Sequence, residues 1–95
     1  MNRDHLEYNL KEIRRHKGIP FDLANETLAD EQFPYIKQDF PGAQMIKYDI
    51  CQYIIVTDRA RRVLIKRLDA LKTKYETRIQ KLDEVIKQLK ENPIT

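Results

Sequence analysis

One cysteine, two glycines, four prolines and no tryptophan occur in this 95-residue chain, and each scarcity excludes something. A lone Cys51 rules out an intramolecular disulfide framework and a cluster of thiolate metal ligands. Gly18 and Gly42, the two glycines, leave no glycine-rich loop to cradle a phosphate. The longest uninterrupted apolar run is Tyr53 to Val56, far short of the ~18 to 20 residues of a membrane-spanning helix. Met1-Asn2-Arg3-Asp4-His5 carries none of the apolar stretch of a secretory signal. These absences lead us to expect a cytoplasmic protein that does not enter a membrane.

Charge is what the chain has in excess. Charged residues make up 35% of it, against ~25% in an average globular domain. The net charge of +3 hides a basic–acidic–basic order along the chain. Residues 1–18 hold five basic and three acidic side chains, residues 20–49 two and six, and residues 57–92 eleven and six. Such sorting suits a nucleic-acid surface, or a match between the acidic middle and the basic ends within or between chains.

Leu6, Leu10 and Ile13 recur at helical spacing and predict an amphipathic helix over residues 3–17, with Asn2 or Asp4 at its start and Gly18 beyond its end. Residues 19–42 read as irregular, because Pro20, Pro34 and Pro41 interrupt them. A short helix fits between Leu23 and Phe33, and Phe40-Pro41-Gly42 reads as a turn. Four of the eight aromatics, Phe21, Phe33, Tyr35 and Phe40, crowd into this segment, so it is expected to be folded.

From Ala43 to Asn92 there is neither glycine nor proline. A stripe runs at steps of three or four through Ile46, Ile50, Tyr53, Thr57, Ala60, Leu64, Leu68, Leu71, Tyr75, Ile79, Leu82, Ile86 and Leu89. Its mean step of about 3.6 is that of a straight α-helix. We therefore expect a mainly α single domain spanning 1–95, with a short amino-terminal helix and an irregular middle. Its long carboxyl-terminal helix over 43–92, with a possible break near residue 57, would form an oligomeric bundle or antiparallel coiled coil. A competing reading places a strand at Ile50 to Val56, where Ile54, Ile55, Val56 and Thr57 are β-branched, followed by a helix starting at Thr57-Asp58. A long isolated helix cannot leave its apolar stripe in water. Leu64, Leu68, Leu71, Tyr75, Ile79, Leu82, Ile86 and Leu89 are accordingly expected to make a homodimer interface.

The sequence shows no catalytic constellation. His5 and His16 are too far apart to share a metal unaided, Cys51 sits among apolar residues like a core cysteine, and no cofactor or metal site is expected. The densest chemical feature is Arg59, Arg61, Arg62, Lys66 and Arg67. On a helix, Arg59, Arg62 and Lys66 form one ridge, suited to the phosphates of DNA or RNA. Arg67 flanks it, and Arg14 and Arg15 supply a second basic run. The bland alternative is solvation of the cluster or its intersubunit pairing with Asp22, Glu26, Asp30, Glu31 or Asp39, and it assigns Arg14 and Arg15 to the helix dipole. The expected function is therefore non-catalytic binding: a dimeric nucleic-acid regulator or accessory factor. The second candidate is an adaptor or inhibitor that grips another protein through Tyr35, Asp30 and Glu31.

Overall fold

Ile54 and Ile55 are successive residues, and both are buried, at 1% and 0% exposure. A helix would turn such a pair only ~100° apart, whereas a strand sends them to opposite faces. In the computed structural model, which describes residues 3–48, 50–74 and 79–94, they lie on a strand with both faces covered. That strand, β3 (Cys51–Ile55), is the centre of a three-stranded antiparallel sheet with β1 (Phe21–Leu23) on one side and β2 (Gln44–Tyr48) on the other. Phe21 pairs with Ile54 and Leu23 with Gln52, while Met45 pairs with Ile54 and Tyr48 with Cys51.

Four helices cover the sheet among the described residues. On one face, Leu23 and Ile54 pack with Ile13 of α1 (Arg3–Arg15) and with Ala29 and Ile36 of α2 (Glu26–Asp39). On the other, Ile46, Tyr48 and Ile55 pack with Ala60, Leu64 and Leu68 of α3 (Asp58–Lys74) and with Leu82, Ile86 and Leu89 of α4 (Ile79–Glu91). The arrangement is a helix–sheet–helix sandwich, not the expected mainly α bundle or coiled coil.

The expectation of one helix over 43–92 fails twice. First, residues 44–48 and 51–55 are the paired strands β2 and β3. The helical stripe through Ile46, Ile50 and Tyr53 was a coincidence of spacing: Ile46 is buried, whereas Ile50 is 75% exposed. The hairpin carries no sequence signal of its own, because Tyr48 pairs with Cys51 and neither residue between them is glycine. Second, the rest of the stripe belongs to two helices that face each other. Arg61 Nη1 donates to the Leu89 carbonyl at 2.7 Å near one end, and Lys72 pairs with Asp83 near the other, so α4 runs antiparallel to α3.

This closure removes the argument for a coiled-coil dimer. Leu64, Leu68, Leu82, Ile86 and Leu89 are all buried within one chain, and Leu71 packs against them half-exposed. The side chains of Tyr75 and Ile79, also expected at that interface, lie outside the described residues, as does the Asn2 cap. The competing reading of a strand before Thr57 was the better guide. Thr57 Oγ1 accepts from the Ala60 N–H at 3.1 Å and caps the start of α3.

Pro34 was expected to interrupt the chain, yet α2 runs 14 residues straight through it. The proline removes one N–H and frees the carbonyl one turn earlier, at Asp30. Pro34 and Asp30 are both exposed, so water can satisfy that carbonyl. Asn25 caps the helix by accepting from the Leu28 N–H at 3.0 Å. Asn9 Nδ2 donates to Gln32 Oε1 at 2.8 Å in the buried space between α1 and α2. The turn expected at Phe40-Pro41-Gly42 is present, closed by the Ala43 N–H on the Phe40 carbonyl at 2.9 Å.

Two outcomes follow from this packing. Leu68→Ala, which empties a site at 1% exposure, is expected to cost about 2–5 kcal/mol in chemical denaturation. Light scattering is expected to give the mass of a single chain, 11.4 kDa, because the described seam is already covered.

Candidate nucleic-acid interface

Helix α3 divides its residues by face. Ala60, Leu64 and Leu68 recur at four-residue steps and are buried against the sheet and α4. At ~100° per residue, Arg59, Arg62 and Lys66 fall on the opposite side of the cylinder. All three are exposed. With Val63 they line a shallow depression of about 410 Å³. The ridge read from the sequence therefore exists as one surface.

Arg61 and Arg62 are neighbours with different duties. Arg61 is 12% exposed at its side chain, with Nε 2.6 Å from the Asp58 carboxylate and Nη1 on the Leu89 carbonyl. It holds α3 to α4 and takes no part in the ridge. Arg62 is 66% exposed and lies 3.6 Å from the other Asp58 oxygen, a weaker tie that leaves most of its guanidinium open. Arg59 and Lys66 make no ion pair among the described residues.

Two contacts bring the carboxyl end of α1 against the amino end of α3. Thr57 Oγ1 donates to the Lys17 carbonyl at 2.5 Å. Gly18 lies under the Arg59 stem so closely that a Cβ there would stand 3.1 Å from Arg59 Cδ. The second basic run thus adjoins the ridge, though its members are partly engaged. Arg14 pairs with Asp39 at 2.9 Å, tying α1 to α2. Arg15 reaches Glu12 only at 3.7 Å and stays 67% exposed. Lys17 Nζ stands 5.9 Å from the Phe40 ring centroid.

Arg67 departs from the ridge. It falls ~80° round the helix from Arg59 and ~100° from Lys66, on the side toward Tyr53. The Tyr53 hydroxyl is pushed up to about 12, first by burial, then by hydrogen bonding and charge interaction with Cys51 and by the Asp22 carboxylate, with Arg67 opposing. Cys51 is half-buried beside it, as a core-flanking residue.

Of the acidic residues named as possible intersubunit partners of the basic cluster, three already pair within the chain. Lys47 Nζ lies 2.9 Å from Asp30 and 3.2 Å from Glu26, and these two carboxylates, Asp30 first, hold the ammonium above its usual range. Asp39 is taken by Arg14. The trio expected to grip a protein partner is split. Tyr35, 44% exposed, and Glu31 share a face of α2, whereas Asp30 faces Lys47 some ~140° away.

A second depression of about 230 Å³ lies between Gln44, Met45 and Ile46 of β2 and Gln88 and Asn92, crossed by the Gln44 amide on its way to the Asn92 carbonyl at 2.9 Å. Among the described residues no three His, Cys, Asp or Glu side chains gather as metal ligands, and no helix is long and apolar enough to cross a membrane.

Asp58 links ridge and fold, and its carboxyl is held below the usual range, chiefly by its hydrogen bond with Arg61. A carboxyl depressed in the folded state stabilises it above the unfolded value and loses that contribution as pH falls through the folded value. Asp58→Asn is therefore expected to flatten the acid limb of a stability–pH curve below about pH 4, read by circular dichroism melts. An unchanged acid limb would show that other carboxylates govern it.

Compared with known protein families, curated proteins and solved structures, the chain matches none.

Proposed function

We propose that this protein is a non-catalytic cytoplasmic factor that binds nucleic acid through the Arg59–Arg62–Lys66 ridge. The single observation that carries this reading is the state of those cations. They stand together on the open side of a well-packed helix, and Arg59 and Lys66 have no carboxylate partner among the described residues. Solvated surface cations are common, but three along about 10 Å of helix, beside a second basic run, make a local field of one sign. Mobile counterions gather at such a surface, and phosphate binding is driven by their counterparts' release from the nucleic acid.

Position supports the same reading. Helix α3 carries seven basic and two acidic residues, while α2, across the sheet, carries one basic and four acidic. The ridge helix and the acidic helix thus lie on opposite faces of the sheet. Arg15 and Lys17, at the carboxyl end of α1, extend the basic surface beyond Arg59.

Material lysed at low salt is expected to co-elute with nucleic acid in size-exclusion chromatography. The chain has five tyrosines and no tryptophan, so bound nucleotide dominates the absorbance trace. Raising the salt is expected to strip it. Reversing Arg59, Arg62 and Lys66 to Glu is expected to abolish co-elution while the helical circular dichroism spectrum is retained. Binding that survives this triple change would end the proposal.

A further inference from the structure

Resting on that reading, we infer that the ridge takes the sugar–phosphate backbone of a duplex, without regard to base sequence, in preference to a single strand. Proteins that hold single strands combine a cationic track with exposed aromatic rings on which bases stack. Here the two parts lie apart. Among the described residues the exposed aromatics are Tyr8 and Tyr35, on α1 and α2, which pack on the sheet face opposite α3. The rings nearer the basic surface are engaged: Phe40 has Lys17 over it, and Tyr53 is half-buried against the α3–α4 core beside Cys51.

What the ridge does offer is a straight row of cations at fixed spacing. Packing of Leu64 and Leu68, at 0% and 1% exposure, prevents α3 from bending or rolling to follow a flexible strand. Rises of ~4.5 and ~6 Å separate the Cα atoms of Arg59, Arg62 and Lys66 along the axis. That row suits a stiff rod bearing phosphates at regular intervals. The residues that read adenine by paired hydrogen bonds, Asn and Gln, are absent from α3, and the depression beside the cations is lined by Val63. Of the two arginines of the ridge, Arg62 stands 3.6 Å from the Asp58 carboxylate and Arg59 lays its stem beside Gly18. Contacts of this kind position a protein on a duplex and carry no sequence information.

Fluorescence anisotropy on the intact chain tests this, with a labelled strand alone, the same strand in DNA and in RNA duplexes, and a second DNA duplex of unrelated sequence. The expected result is tighter binding to a duplex than to its strand, equal affinity for the two DNA sequences, and a log–log salt slope near about −2.7 on DNA, for three phosphates. Lys66→Gln, a surface change that leaves the core intact, is expected to reduce that slope by about 0.9. A single strand bound as tightly as the duplex, or one sequence strongly preferred, would overturn the inference while leaving the nucleic-acid reading in place. No binding of any form at low salt would overturn that reading itself.

Discussion

A strand buried on both faces is the constraint on which this fold depends. Ile54 and Ile55 cannot both leave water unless helices lie on each side of the sheet, and the chain supplies two to each face. Once β3 is central, β1 and β2 must be its edges. Both are short, at three and five residues, and β2 carries Lys47 outward to the α2 carboxylates. Short edges bearing charge resist pairing with other chains.

Helix α3 is the element on which stability and surface chemistry meet. Its buried stripe holds it to the sheet and to α4, and that same immobility fixes the separation of the exposed cations. Asp58 serves both sides, gripping Arg61 tightly and Arg62 loosely. Gly18 contributes by what it lacks, since the missing Cβ leaves room for the Arg59 stem. Its backbone is not in the left-handed region, so the constraint there is space alone.

The sequence disclosed the parts of this structure that depend on local pattern. Leu6 and Ile13 do form the buried side of α1, and Arg59, Arg62 and Lys66 do share one face of α3. The strands were harder to see because β3, covered on both sides, lacks the polar alternation of a half-exposed strand. The β2–β3 connection lacks the glycine that usually marks so tight a turn. Proline misled in the opposite sense, for Pro34 sits where an exposed helix face tolerates it. The folding-back of the carboxyl-terminal stripe was invisible for a different reason. A stripe that packs against a second copy and one that packs against its own continuation have the same periodicity, and here the choice shows only in long-range bonds such as Arg61 to Leu89. The Gly18–Arg59 contact, between residues 41 positions apart, had no sequence signal at all.

The opposite charges of α2 and α3 have a meaning that no single contact conveys. Because the sheet stands between them, their opposite net charges set up an electric moment between α2 and α3. In the field of a polyanion that moment exerts a torque before any atoms touch, turning α3 forward and α2 away. Orientation then precedes collision, and a diffusing molecule wastes fewer encounters. The torque fades within about a Debye length, ~8 Å at physiological ionic strength, so the ordering of the layers acts as a short-range compass.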